Sequence, residues 1–97
     1  MRFTWDPNKS ERTRLERGFD FDFASASFAG RTVEWDDVRR DYGERRIVAV
    51  GATRGRILTI CYTDRMQAGE HVERRIISAR RSNPREKKSY AAGGENG

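Results

Sequence analysis

Residues 44–63 read ERRIVAVGATRGRILTICYT, and this stretch decides the fold because it holds two strand-forming runs around a tight turn. Apolar and β-branched residues predict strands at 44–52 and 56–63. Thr53-Arg54-Gly55 between them has the length and the glycine of a hairpin connection. A further strand is predicted at 71–80, so the three strands should form an antiparallel meander.

Working outward, capping residues and helix breakers divide the rest of the chain. Asp6-Pro7 should start a helix, because aspartate caps a helix N-terminus and proline suits the first helical position. Asp20 and Asn83 are candidate caps of two more helices, and Gly18 should end the first helix. The other predicted elements are a strand at 2–5, helices at 7–17, 20–29 and 84–92, a weak strand at 31–36, and loops at 36–43 and 64–69.

The resulting order, β-α-α-β-β-β-β-α, predicts an α+β fold with helices packed on one face of an antiparallel sheet. The second helix has one apolar face, since Phe21, Ala24 and Phe28 are spaced by three and four residues. In the first helix only Leu15 is strongly apolar, so that helix should lie thinly on the surface. The two tryptophans are predicted to be core residues, in preference to base-stacking ones; they are Trp5 and Trp35.

Length and composition limit the class of protein. Of 97 residues, 35% are hydrophobic and 36% are charged, which predicts one domain with a thin core. We expect that domain at residues 1–92 and a flexible tail at 93–97. The single cysteine, Cys61, excludes an internal disulfide and a cysteine-based metal site. Without an apolar leader or a membrane-length apolar run, the chain is expected to be cytoplasmic and to have no membrane partner.

Positive charge is concentrated near the C-terminus. The net charge is +5, yet residues 71–90 hold seven basic and two acidic residues, and the remainder of the chain is balanced. A localised excess of this kind attracts polyanions such as RNA. A solvated basic tail is the plainer interpretation. Against it, the apolar residues Ile76, Ile77 and Ala79 interrupt the charges and predict that part of this segment is buried.

Alternation along the strand at 71–80 predicts two rows of arginine. Arg74, Ser78 and Arg80 should share one side with Ile76. The opposite side should carry Ile77 together with Arg75, Ala79 and Arg81. Because both rows cannot face the core, at least one of them should reach solvent or an anionic partner.

The sequence offers few groups for acid–base or metal chemistry. His71 is the one histidine, so a catalytic histidine pair is impossible, and we expect it to be an exposed residue at a strand start. No group of residues has metal-ligand spacing, and the acid-rich pieces Asp20-x-Asp22 and Glu34-x-Asp36-Asp37 are interpreted as caps and loops. We therefore expect neither a metal nor another cofactor.

Three pieces of the chain resemble one known family. They are Trp5-Asp6-Pro7-x-Lys9, Glu44-x-Arg46 with Gly51, and Arg75-Ile76-Ile77-Ser78-Ala79-Arg80 leading to Arg85-Glu86 and Tyr90. Together they resemble the BrnT toxins over roughly residues 3–90. The resemblance implies a RelE-like fold, a metal-independent ribonuclease that blocks translation, and a type II toxin-antitoxin system. It also implies a BrnA-type ribbon-helix-helix antitoxin, whose complex with the toxin would bind operator DNA.

The resemblance also suggests site residues. Arg46 and Arg80 are expected to be the catalytic cations, since a guanidinium pairs with two phosphate oxygens at once. Lys9 and Tyr90 are candidates for proton transfer or RNA positioning. Glu86 is a candidate base, although it could equally pair with a basic neighbour, and Glu44 is expected to be a structural residue near the site. The predicted RNA-binding residues are Arg17, Arg74, Arg75, Arg81, Arg85, Lys87 and Lys88.

One departure from the family pattern keeps other functions open. The family usually has Asn-x-x-Lys-His-Gly before the second helix, where this chain has Thr13-Arg14-Leu15-Glu16-Arg17-Gly18. Arg17 thus stands where the family has histidine, and the chain could be an inactivated toxin. A nucleic-acid-binding module without catalysis, or a protein whose basic helix docks an acidic partner, are further alternatives.

Overall fold

A computed structural model of the chain describes residues 1–67, 69 and 71–93. A 3-10 helix, Ala26–Ala29, directly follows the second α-helix. The strands and α-helices are β1 (Arg2–Trp5), α1 (Pro7–Arg17), α2 (Phe21–Ser25), β2 (Thr32–Asp36), β3 (Ile47–Thr53), β4 (Arg56–Gln67), β5 (His71–Arg81) and α3 (Pro84–Ala91). The predicted α+β class and the order of the elements are confirmed.

All five strands form one sheet, in the order β1-β5-β4-β3-β2. The predicted meander is confirmed, because β3, β4 and β5 pair antiparallel in sequence. The prediction of a wholly antiparallel sheet is wrong, since β1 pairs parallel with β5, from Arg2 opposite Glu73 to Trp5 opposite Ile76. The helical segment after β1 crosses one face of the sheet and brings the chain to β2 at the opposite edge. Local sequence pattern carries no information on which strand an edge strand will join.

The predicted helix caps are confirmed. The carboxylate of Asp6 accepts a hydrogen bond from the Asn8 amide at 2.9 Å, and that of Asp20 accepts one from the Phe23 amide at 2.8 Å. Asn83 and Glu86 form a reciprocal capping box at the start of α3. Gly18 ends α1 with φ of 85°, in the left-handed region that favours glycine.

One prediction about the helices needs correction. Residues 20–29 do not form one helix, because α2 ends at Ser25 and the backbone tightens into the 3-10 helix. Helix α1 lies on the surface as predicted, and even its one strongly apolar residue, Leu15, is 70% exposed. Helix α1 is tied down by a polar contact, in which the buried Ser10 hydroxyl accepts a hydrogen bond from the Phe21 amide at 2.9 Å.

The core lies between the sheet and the α1–α2 layer. It comprises Phe19, Phe21, Ala24, Leu58, Ile60, Ile76 and Ala79, with Trp5 and Phe28 packed partly against it. The predicted apolar face of the second helix and the core role of Trp5 are thus confirmed. The matching prediction for Trp35 is wrong, because 41% of its surface is exposed.

A β-bulge at Ile77 changes the predicted faces of β5. Tyr62 pairs with Ile76 and Cys61 with Ser78, so Ile77 is an extra residue without a partner on β4. Consequently Ile76 and Ala79 both face the core. The prediction that Arg74 and Arg80 share a face is wrong, since the alternation shifts by one residue at the bulge. Arg74 lies on the helix-covered face, against the rings of Phe28 and Tyr62, and Arg80 lies on the opposite face.

The strand ends also differ from prediction. Strand β3 begins at Ile47, because Glu44 to Arg46 belong to the preceding loop, and β4 continues to Gln67. The predicted loop at 64–69 is therefore largely strand, paired with the first residues of β5. His71 is exposed at the start of β5, as expected. Residues 94–97 lie outside the described part, so the division into a domain at 1–92 and a tail at 93–97 stays a prediction.

The second face of the sheet is only partly covered. Helix α3 packs against β2 and β3 on this face. The loop between β2 and β3 is closed at its base by a hydrogen bond of 2.8 Å from the Asp37 amide to the Arg46 carbonyl. A cleft stays open between this loop and α3. In the described part of the chain, no helix combines the length and the apolar composition that crossing a membrane requires.

Gly51 gives a testable prediction about packing. A Cβ atom there would lie 3.1 Å from both the Ser27 Cβ and the Thr32 Cγ2 atoms, whereas one at Gly30 would meet nothing within 4 Å. We expect Gly51→Val to lower the free energy of unfolding by about 1–3 kcal/mol through overpacking. Gly30→Val is the matched control and should have a smaller effect in the same denaturant titration. Equal losses in the two variants would contradict this role of Gly51.

Candidate functional site

A cleft on the open sheet face brings together charged residues from several elements. It has a volume of about 370 Å³. Strands β2 to β5, the loop after β2 and the start of α3 contribute its walls. The lining residues are Trp35, Asp36, Asp37, Val38, Arg39, Val48, Thr59, Cys61, Ser78, Arg80 and Glu86. Of the predicted site residues, this lining includes Arg80 and Glu86.

Arg80 is held in the cleft by Glu86. The Nη1 and Nη2 atoms of Arg80 donate to Oε1 and Oε2 of Glu86, each at 2.8 Å. Glu86 also accepts hydrogen bonds from the Thr59 hydroxyl at 2.9 Å and from the Asn83 amide at 2.8 Å. These contacts, above all the one with Arg80, lower the pKa of Glu86 to about 2. Glu86 therefore fixes the orientation of Arg80 and is a weak proton acceptor near neutral pH.

A second arginine at the cleft is fixed in the same way. The side chain of Asp37 is only 1% exposed and accepts two hydrogen bonds of 2.8 Å from Arg39. The Tyr42 hydroxyl donates to the same carboxylate at 3.1 Å. The hydrogen bonds from Arg39 hold the pKa of Asp37 well below its usual range. Because the guanidinium of Arg39 stays 77% exposed, its free edge is available to an anion.

Arg46 is the last residue of the loop between β2 and β3. Its Nε atom donates to Glu44 at 3.1 Å, and its guanidinium lies 4.1 Å from the centre of the Tyr42 ring. Glu44 also accepts a hydrogen bond from Arg65, at 3.4 Å, so it pairs with two arginines. The side chain of Arg46 is 25% exposed and lies outside the cleft lining.

The pKa of the Cys61 thiol, in the lining of the cleft, is influenced by the charged groups around it. Burial raises the pKa of its thiol, and the nearby Asp37 carboxylate acts in the same direction. The positive charges of Arg46, Arg39 and Lys9 all act in the opposite direction. Lys9 and Arg46 are therefore close enough to influence the cleft electrostatically, although neither lines it.

Three other predicted residues are engaged elsewhere. The Tyr90 hydroxyl donates to the Arg31 carbonyl at 3.2 Å, and the Arg31 guanidinium covers the Tyr90 ring. Arg17 donates to the Ala79 carbonyl at 2.7 Å, which links the end of α1 to the strand that carries Arg80. Arg74 pairs with Asp64 at 2.8 Å on the helix-covered face. These contacts separate the three side chains from the cleft.

The remaining predicted RNA-binding residues leave their charges unneutralised. Within the described residues, none of their side chains forms an ion pair or a hydrogen bond; they are Arg75, Arg81, Arg85, Lys87 and Lys88. Arg81 and Lys87 line a second depression of about 230 Å³ together with Gly55, Arg56 and Ile57. The end of β5 and α3 thus carry positive charge outside the cleft lining.

Sequence reasoning missed several residues of the cleft. Asp36 and Asp37 were interpreted as capping and loop residues, whereas Asp37 is buried and orders Arg39. No sequence pattern distinguished Arg39 from the many other charged residues of the chain. The lining residues Thr59, Cys61 and Ser78 come from the paired strands β4 and β5, so their proximity depends on strand pairing. Over the described residues, no three His, Cys, Asp or Glu side chains are grouped as metal ligands would be.

The Arg80–Glu86 pair predicts a pH dependence of stability. The folded-state pKa of Glu86, about 2, lies below its ordinary value of 4.5. The pairing therefore stabilises the folded state fully above pH 4.5 and is lost as the pH falls towards about 2. Glu86→Gln should flatten the dependence of the denaturation midpoint on pH in that window. The control Glu16→Gln, at an exposed position of α1, should keep the wild-type slope, and a wild-type slope in Glu86→Gln would contradict the assignment.

Comparison with known proteins agrees with this geometry. No curated protein matches the chain. A family model described as "Ribonuclease toxin, BrnT, of type II toxin-antitoxin system" matches residues 5–86, from the last residue of β1 through β5 to the Arg80–Glu86 pair. Because the match extends over most of the sequence, the chain belongs to the family of BrnT ribonuclease toxins of type II toxin-antitoxin systems.

Proposed function

We propose that this protein is an endoribonuclease that cleaves RNA without a metal ion, arrests translation and is neutralised by a BrnA-type antitoxin. Membership of the family implies an RNA substrate and an antitoxin partner. The observation that carries the proposal is Arg80, whose guanidinium is held by Glu86 in a cleft on the open face of the sheet. Cytoplasmic action and a RelE-like fold are part of the proposal, and they rest on the resemblance described above.

The chemistry requires stabilisation of a crowded, negatively charged phosphate. When the 2′-hydroxyl attacks the neighbouring phosphate, charge develops on its non-bridging oxygens. Glu86 binds Nη1 and Nη2 of Arg80, and the Nε–H of Arg80 has no hydrogen-bond partner within the described residues. That donor can bind a phosphate oxygen while Glu86 keeps the guanidinium in place. We assign Arg80 as the principal cation that stabilises the transition state. Arg46, at the end of the loop between β2 and β3, is assigned as a supporting positive charge.

Proton transfer is assigned by exclusion among the candidates. Glu86 already accepts from Arg80, Thr59 and Asn83, which supports a positioning role in place of a base. The Tyr90 hydroxyl is bound to the Arg31 carbonyl away from the cleft. Lys9 is exposed, and its charge acts on the cleft floor. We propose that Lys9 donates a proton to the leaving 5′-oxygen as the P–O5′ bond breaks, and that solvent water accepts the proton of the 2′-hydroxyl as the new O–P bond forms.

Positive charge outside the cleft supports a second candidate function, the binding of a nucleic acid without catalysis. Five basic residues without ion pairs among the described residues, Arg75, Arg81, Arg85, Lys87 and Lys88, suit the backbone of a nucleic acid whether or not it is cut. A binding module without catalysis, which Arg17 in place of the family histidine keeps open, would retain RNA and leave it intact. The two functions are separated by the integrity of the bound RNA.

Arg80 gives the central prediction. In buffer that contains a metal chelator, the purified wild-type protein should cleave single-stranded RNA. Arg80→Ala should lower the cleavage rate about 100-fold or more, because a preorganised hydrogen-bond donor to the transition state is lost. Arg80→Lys should recover part of the rate by restoring charge without the planar fork. Arg14→Ala is the matched control, since Arg14 also pairs with a glutamate, Glu11, but lies on α1.

Three results would decide this test. A wild-type rate in Arg80→Ala, with its thermal midpoint measured in parallel, would contradict the assignment of Arg80. Binding of intact RNA by the wild-type protein would favour the binding module. Glu86→Gln should reduce cleavage less than Arg80→Ala, because it loosens the cation without removing it.

The antitoxin gives a separate prediction. Induction of this chain in cells should stop growth and incorporation of labelled amino acids, and Arg80→Ala should not. Co-expression of a small ribbon-helix-helix protein encoded beside the toxin gene should restore growth. The two proteins should co-elute, and only their complex should shift operator DNA. Growth arrest that persists despite complex formation would contradict neutralisation by this partner.

A further inference from the structure

Trp35 is an exposed aromatic residue at the cleft. Its surface is 41% exposed, and the neighbouring Val38 is 84% exposed. Trp35 pairs with Val48 across β2 and β3, and both side chains line the cleft. In a chain that is only 35% hydrophobic, a tryptophan at an open cleft is an apolar surface without a partner in the core. The flat face of an indole is a platform on which a nucleobase can stack.

Two guanidinium groups lie at the same cleft. Arg80 and Arg39 are each anchored by a carboxylate, from Glu86 and Asp37 respectively. The pKa of Arg80 is raised mainly by its hydrogen bond with Glu86, and the charge of Arg39 acts in the opposite direction, so the two cations repel each other. Such mutual repulsion is relieved when an anion binds between the groups.

We propose that Trp35, Arg39 and Arg80 form a subsite for one unpaired nucleotide of RNA, and this inference rests on the proposed function. The base stacks on Trp35, and the adjacent phosphate lies between the guanidiniums of Arg39 and Arg80. The cleft volume of about 370 Å³ is within the range of small-ligand sites. The nucleotide must be unpaired, because a base inside a duplex does not expose its face to the indole.

The subsite explains how one phosphodiester bond of the RNA is positioned for cleavage. Stacking on Trp35 would hold a base beside the phosphate that Arg80 contacts, so the bond to be cut is chosen by the position of an unpaired base. Every base offers an aromatic face, so stacking alone gives weak sequence preference. Arg39 then binds the phosphate in the ground state, and its loop position is fixed by the buried Asp37 carboxylate.

The test measures binding separately from cleavage. The probe is a fluorescein-labelled single-stranded 2′-O-methyl RNA, which has no 2′-hydroxyl nucleophile and therefore binds without being cut. Trp35→Leu should weaken binding about tenfold, because it keeps apolar volume but removes the aromatic face. Trp35→Phe should restore most of the affinity. In a Trp5→Phe background, Trp35 is the one remaining tryptophan, and its emission should be quenched on binding.

Arg39 is tested by salt dependence. The double variant Asp37→Asn with Arg39→Gln removes both charges of the pair, so the buried carboxylate is not left without its partner. It should reduce the slope of log affinity against log salt concentration by about one. Arg14→Gln, on α1, should leave both affinity and slope unchanged. A duplex of the same sequence should bind more weakly than the single strand. Thermal midpoints of all variants identify any loss of folding.

The outcomes separate the subsite from the proposed function. Wild-type affinity in Trp35→Leu, or unquenched Trp35 emission in the complex, would overturn the subsite while RNA cleavage at Arg80 could still hold. An unchanged salt slope in the double variant would remove Arg39 from it. If the wild-type protein neither binds the probe nor cleaves RNA, the proposed function fails, and the subsite fails with it.

Discussion

Strand β5 supplies core side chains and the cation of the cleft, and the bulge at Ile77 makes both roles compatible. Without the extra residue, strict alternation would put Ile76 and Arg80 on the same face. Either a guanidinium would enter the apolar core or Ile76 would leave it. With the bulge, Ile76 and Ala79 pack under α1 and α2, while Ser78 and Arg80 face the cleft. The whole candidate site depends on this single shift of register.

Both cations at the cleft are placed by carboxylates that are themselves nearly buried. Glu86 is 11% exposed and Asp37 is 1% exposed, so each needs a charged partner to compensate for lost hydration. Glu86 also belongs to the capping box of α3. The contact that starts the helix is therefore the contact that aims Arg80. Local helix formation and the geometry of the cleft are set by the same side chain, which is why α3 and the site cannot vary independently.

Local signals in the sequence predicted most elements, and long-range pairing accounts for what they missed. Caps such as Asp6, Asp20 and Asn83 act within a few residues, so the sequence shows them directly. Parallel pairing of β1 with β5 joins segments about 70 residues apart in the chain. The bulge could not be predicted from the sequence, because Ile77 is as apolar as Ile76 and either residue could face the core. Trp35 was assigned to the core by its residue type, whereas its exposure follows from β2 being an edge strand.

Arg80 and Glu86 were found through the resemblance, and the other cleft residues were not. Arg39 is one of 20 basic residues, and nothing local marks the buried Asp37 as its anchor. Cys61 lies opposite Ser78, and Tyr62 opposite Ile76, only because β4 and β5 pair with an irregular register. Predicted contributors such as Arg74 and Tyr90 were excluded from the cleft by contacts with Asp64 and Arg31, which strand and helix packing create.

The hydrogen bond from Arg17 to the Ala79 carbonyl has a further consequence, for self-association. Strand β1 pairs with β5 only from Glu73 to Ile76, so the following residues of β5 form an open sheet edge. An open edge is a template on which another chain can add a strand and begin to aggregate. Arg17 occupies one acceptor of that edge and places a positive charge beside it. Arg17 therefore disfavours the addition of another strand at this position of the edge.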